Sequence, residues 1–136
     1  MKNELKSWLI AGVVLLAIMG LLGYLPGMGL LGSVRDDYIP MAPGTAICFL
    51  ILAISLITLN VKNISASSLI IPLILSLFVS LYGLLDVAGY LFGKDLVFED
   101  TLVPYAGHLH GIPIARMSPV TGALLFLSGA AIFFII

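Results

Sequence analysis

Asp86 is the one acid inside a long apolar run, residues 69–92, and Tyr82 and Tyr90 lie four residues to either side of it, with Gly83 and Gly89 three residues to either side. Helix positions three and four apart share a face, so these residues predict a small polar face carrying one carboxylate that can accept a tyrosine hydroxyl. An ionisable group within a membrane helix is expected to face other helices and to mark a working site. The plainer alternative is a hydrogen-bonded packing residue, about 9 Å below the end of its helix at the usual rise.

A second set is written twice. Met41, Pro43 and Thr45 stand in Met-x-Pro-x-Thr spacing ahead of an apolar stretch, and Met117, Pro119 and Thr121 repeat that spacing ahead of another. Proline suits the first position of a helix, where its missing N–H leaves no gap. Ser118 is placed to cap the second helix, and the threonine two residues after each proline can offer its hydroxyl to first-turn N–H groups. The motif therefore predicts a helix start. Two such starts facing one space would also present positive dipole ends able to hold an anionic or polar group.

His108 and His110 flank Leu109 in a loop that also holds Asp95, Glu99 and Asp100. Two imidazoles with carboxylates nearby can coordinate a metal, although His-x-His suits an exposed loop equally well. Neither histidine falls in an apolar stretch, which disfavours haem held between helices. Cys48 is the single cysteine, so a disulfide within the chain and a cysteine-based zinc site are both excluded; it reads as a small packing residue. No nucleophile–base pair, phosphate-binding glycine loop or metalloprotease motif is visible. The chain by itself reads as no enzyme, and the sequence requires no cofactor.

Membrane helices must position these residues. Hydrophobic residues make up 61% of the 136 and charged ones 10%, far from the balance of soluble domains. A bilayer core takes about 20 apolar residues in helical form, and four stretches are expected to cross it: from 8 past 22, 45–59, 69–92 and 120–136. The apolar but helix-breaking run Pro26-Gly27-Met28-Gly29-Leu30-Leu31-Gly32 predicts a short interfacial turn over the helices, with Met41 and Met117 available to line an apolar pocket. The first stretch is too long, and too poor in cleavage-site residues, for a signal peptide. A net charge of −1 disfavours a nucleic-acid partner.

The two halves match more widely than the proline motif. Gly23-Tyr24-Leu25 closes the first stretch and Gly89-Tyr90-Leu91 the third. The expected fold is thus an all-α, integral membrane bundle of two tandem helical hairpins forming one domain, with repeat 1 at about 7–61 and repeat 2 at about 66–136. Each unit holds two spans, so both enter with the same polarity and the repeat is parallel. Both termini share a side with the connection 60–68. Lys2, Lys6 and Lys62 on that side balance Arg35, Lys94 and Arg116 on the other, so the positive-inside rule gives a tie. Acids gather on the long-loop side, and cytoplasmic termini are the expectation. Apolar sequence continues to Ile136 without a polar flank, which predicts that more protein follows on the inner side.

The helix ending near Gly-Tyr-Leu, the segment Leu91-Phe92-Gly93-Lys94-Asp95-Leu96 with acids after it, and Arg116-Met117-Ser118-Pro119-Val120-Thr121 opening an apolar helix with an early phenylalanine resemble the N-terminal membrane input regions of prokaryotic sensor histidine kinases and diguanylate cyclases. Pro43-Gly44-Thr45-Ala46 is similar to the Pro-x-Thr-Ala segment that commonly opens a membrane helix there. The chain departs from that pattern at Gly122, where alanine is usual, and at Gly44 and Val120, where a polar residue is common. The resemblance implies a multi-pass module of the prokaryotic inner membrane, a homodimer, joined to a C-terminal cytoplasmic output domain. In such a module the ligand-sensing candidates are those read from the residues above: Met41, Pro43, Thr45, Tyr82, Asp86, Tyr90, Met117, Pro119 and Thr121. Two rivals stand beside it. A small transporter would want a polar partner in both repeats, yet the position matching Asp86 is Gly20. A membrane subunit of a redox complex would want histidines within the spans.

Overall fold

A computed structural model of the chain describes residues 2–25, 27–33, 40–61, 65–94, 108–109, 112–113 and 116–136. Helix α1 covers Lys2–Leu22, the short helix α2 Gly29–Ser33, α3 Pro43–Leu59, α4 Ile70–Leu91 and α5 Pro119–Ile135. A 3-10 turn, Ala66–Leu69, leads into α4. The one extended pairing among the described residues is a two-residue antiparallel ladder in which β1 (His108–Leu109) meets β2 (Ile112–Pro113).

The fold is all-helical, and the helix limits follow from local chemistry. Pro43 and Pro119 each occupy the first turn of their helix. The 3-10 turn is capped by Ser65, whose Oγ accepts the Ser68 N–H at 3.3 Å. Pro72 falls in the first turn of α4, where a proline is tolerated. After α1 the chain turns through Gly27 at φ 84°, a left-handed conformation open to glycine. It then forms α2, which folds back onto the end of α1. A Cβ on Gly32 would lie 3.1 Å from the Gly23 Cα, so both glycines are needed for this crossing. Residues 27–33 thus form a turn and a short helix packed on the end of α1.

Packing pairs the helices in sequence. α1 lies on α3 and α4 on α5, while α3 also meets α4. Among the described residues α1 touches only α3 and α2, so the helices pack in the order α1, α3, α4, α5. The reason lies in the seams. On α1 Ile10, Val14, Ala17, Gly20 and Leu21 line one buried or half-buried stripe, with Met19 half-buried beside it, amid exposed Trp8, Leu9, Leu15 and Leu16. On α3 most buried positions, Gly44, Thr45, Ala46, Cys48, Ala53 and Ser55 beside Pro43 and Leu52, are small, which lets neighbouring helices approach. The core proper lies where α3, α4 and α5 converge: Cys48 and Leu52, Val79, and Leu125 and Ile132, joined by Ala42 and Met117.

α4 and α5 make the closest contact. Their buried residues, Ser76, Val79, Ser80 and Gly83 on one and Gly122, Leu125 and Gly129 on the other, recur at three-, four- and seven-residue spacing. A Cβ on Gly129 would lie 2.6 Å from the Ser76 carbonyl oxygen and 2.7 Å from the Ser80 nitrogen. A Cβ on Gly83 would run into the Gly122 carbonyl and lie 2.7 Å from the Phe126 nitrogen. Gly83 facing Gly122 and Ser76 facing Gly129 fix an antiparallel register. Small residues that bring backbones together are the usual seam of helix pairs in lipid.

Two helices are long and apolar enough to cross a membrane: Glu4–Leu22, and Ala66–Leu91 including the leading turn. Of the four expected spans, the other two, α3 and α5, form apolar helices of 17 residues, or about 25 Å at the usual rise. Large side chains such as Leu77, Phe78, Leu81 and Leu85 on α4 stand exposed, as expected of surface that faces lipid. Two hydroxyls of α3 are satisfied within the helix. Ser55 Oγ donates to the Ile51 carbonyl at 3.0 Å, and Thr58 Oγ1 to the Ile54 carbonyl at 2.8 Å.

Candidate functional site

The polar candidates collect at the end of the molecule where α1 and α4 finish and α3 and α5 begin. Asp86 lies on α4 about one turn from its close, half-buried, with its Oδ2 atom shielded from solvent. That oxygen occupies the space a side chain on Gly122 would take, and such a Cβ would also lie 3.1 Å from the Asp86 Cβ. Gly122 is the fourth residue of α5. A larger residue at 122 would have to displace this carboxylate oxygen and would also crowd the Gly83 carbonyl oxygen, 3.0 Å from such a Cβ.

Tyr82 is half-buried against the core cluster and stacks on Phe78, with ring centroids 6.4 Å apart and 16° between planes. Tyr90, expected on the same inward face, is 70% exposed. Eight residues at 100° each leave Tyr90 about 80° further round the helix than Tyr82, and it lies beyond the stretch of α4 covered by α5. The polar face expected around Asp86 is thus reduced to its Tyr82 side.

The two helix starts are built differently. At α5, Ser118 is the cap: its Oγ accepts the Thr121 N–H at 3.2 Å and lies 2.9 Å from the Thr121 hydroxyl. The Gly122 N–H donates to the Ser118 carbonyl at 3.0 Å. Thr121 thus bonds the capping serine through its hydroxyl instead of serving first-turn N–H groups. At α3 the capping position is Ala42, with no side-chain cap. Here the start is secured from outside: the Tyr24 hydroxyl donates to the Met41 carbonyl at 3.1 Å, and the Met41 N–H donates to the Gly32 carbonyl at 3.1 Å.

Burial differs likewise. Pro43, Thr45 and Met117 are buried, whereas Met41, Pro119 and Thr121 are half-buried. Ala42 and Met117, which precede the two starts, share the core cluster, so the starts are neighbours at one end. Gly20, the counterpart of Asp86, packs on Met41, since a Cβ there would lie 3.1 Å from the Met41 sulfur. The Met41 thioether thus packs where a side chain on Gly20 would lie, whereas residue 86 itself carries a carboxylate.

Sequence reasoning passed over two structural residues. Tyr24 was visible only as part of a repeated tripeptide. Ser80, whose Oγ donates to the Phe126 carbonyl at 3.2 Å, was signalled by its place in the stripe Ser76, Ser80 and Gly83. Cys48 is buried, as a packing residue would be. His108 lies in β1 opposite Pro113, while His110, Asp95, Glu99 and Asp100 lie outside the described residues. Among the described residues no cluster of three or more metal-ligating side chains occurs.

Chemically, among the described residues this end offers one carboxylate, several hydroxyls and two helix starts. Comparison with protein-family models, with curated proteins and with solved structures finds no match to this chain.

Proposed function

We propose that the chain is the signal-input module of a prokaryotic membrane sensor of the two-component or cyclic-di-GMP type. In this reading all four long helices cross the inner membrane as two tandem hairpins related by a parallel repeat, with cytoplasmic termini. The 17-residue helices α3 and α5 fall at the short end of the range that spans a bilayer. The end holding Asp86 and the helix starts then opens outward as a vestibule.

One observation carries the reading. Asp86, the only acid of α3, α4 and α5, sits at the contact between the long helix α4 and the first turn of α5. A ligand or membrane state registered there acts directly on the last helix. The glycine and serine seam keys α5 to α4, and packed helices of this kind respond by small shifts or rotations. Such a shift would pass to a histidine kinase or diguanylate cyclase domain following Ile136, working as a homodimer. The resemblance of 116–121 and 43–46 to such input regions supports the same reading.

The coding sequence beyond Ile136 tests it. A PAS, kinase or GGDEF-type domain there is the expected finding; a stop codon within a few residues overturns the proposal.

A further inference from the structure

The contact between Asp86 and Gly122 differs in kind from the rest of the α4–α5 seam. Further along, the helices meet through backbone, serine and apolar groups: Gly83 against Phe126, Ser80 Oγ on the Phe126 carbonyl, and Gly129 against Ser76. Only at the Asp86 end does a carboxylate enter the seam. Its Oδ2 is shielded from solvent and fills the notch left by the missing side chain of Gly122.

That notch lies in the first turn of α5, where the aligned peptide dipoles leave partial positive charge. The N–H groups of the turn are largely committed within the chain. Pro119 has none, the Thr121 N–H goes to Ser118 Oγ, and the Gly122 N–H goes to the Ser118 carbonyl. The helix start is therefore poorly built to receive an external anion end-on, while a carboxylate from the neighbouring helix reaches it from the side. Among the described residues Lys94 and Arg116 are the cations at this end of the molecule.

We propose that Asp86 and Gly122 form an internal latch: the carboxylate is a built-in counter-charge that holds the start of α5 against α4, and its release frees that end of α5 while the remainder of the seam stays closed. The latch fits a notch to a charge, so it depends on both residues. Asparagine at 86 keeps the shape and removes the charge; alanine at 122 keeps the charge and removes its seat. The relevance of the latch to signalling rests on the sensor reading, but its existence does not.

The test is a pair of distances in the full chain, reconstituted in lipid nanodiscs in a Cys48→Ala background. Spin labels attached through Leu85→Cys and Val120→Cys, both exposed positions, report the latched end. Labels through Ile74→Cys and Ala131→Cys, also exposed, report the far end of the same helix pair. Without further change both pairs should give narrow distance distributions. Asp86→Asn and Gly122→Ala should each broaden the latched-end distribution and shift it to longer distance, leaving the far end unchanged. Unchanged distances at the latched end in Asp86→Asn overturn the proposal, as does equal loosening of both ends, which would make Asp86 an ordinary packing residue. If Asp86→Asn does not insert, Asp86→Ala, which removes the carboxylate without adding bulk to the seam, decides by the same two criteria. The readout is a distance within one hairpin, so a stop codon after Ile136 would sink the sensor reading and leave this result standing.

Discussion

The Tyr24 hydroxyl donates to the Met41 carbonyl at 3.1 Å, joining the turn after α1 to the residue that leads into α3. The tyrosine of the second Gly-Tyr-Leu, Tyr90, is 70% exposed. The two Gly-Tyr-Leu tripeptides therefore do different things: the first fastens a helix start that lacks a side-chain cap, whereas the second precedes a helix start that Ser118 caps. Tyr24→Phe should lower stability by about 1 kcal/mol, the usual net value of a partly buried hydrogen bond. Tyr90→Phe should change it little. Reversible unfolding in mixed micelles, followed by circular dichroism, compares the two.

Helix starts give a second contrast. Ser118→Ala removes the oxygen that accepts the Thr121 N–H, and loss of such a cap typically costs about 1 kcal/mol. Thr121→Val leaves that bond in place and removes only the hydroxyl pair, so its effect should be smaller. The same unfolding measurement ranks them, and a larger loss for Thr121→Val would contradict the assignment of Ser118 as the cap.

Much of the fold is legible in the sequence because the signals are local. Prolines 43 and 119 mark helix starts, Gly27 marks a turn, and unbroken apolar stretches mark α1 and α4. The seam between α4 and α5 is also written there, as small residues seven apart: Ser76 and Gly83 on one helix, Gly122 and Gly129 on the other. The candidate site is less legible. The unequal fates of Tyr24 and Tyr90 depend on how each connection folds back, and the seat of Asp86 on Gly122 depends on the register of two helices far apart in the chain. Matching by repeated motif makes the halves equivalent, whereas their packing makes them different.

Glycine substitutions probe that register. Gly83→Ala and Gly129→Ala each force a methyl into facing backbone, and overpacking of this kind costs about 1–3 kcal/mol. Gly12, on an open face of α1 with nothing within 4 Å of an added Cβ, is the control. Gly12→Ala should stabilise by roughly 0.5–1 kcal/mol through helix propensity. Opposite signs at Gly83 and Gly12 are the expected result; a neutral Gly83→Ala would mean that α4 and α5 do not approach as closely as described.

Trp8 provides a direct measure of how α1 meets lipid. It is the chain's single tryptophan, it is 77% exposed, and it lies two residues beyond Lys6 near the start of α1. Tryptophan settles at the membrane–water interface, where its ring is apolar and its N–H can reach water. In vesicles its emission should be blue-shifted from that of free tryptophan. Lipids carrying a quencher near the headgroup should quench it more strongly than lipids carrying one near the chain end. Stronger quenching by the deep probe would place Trp8 at the bilayer centre and exclude a transmembrane α1 that begins near Lys6. Emission unchanged from that in water would remove α1 from the membrane altogether.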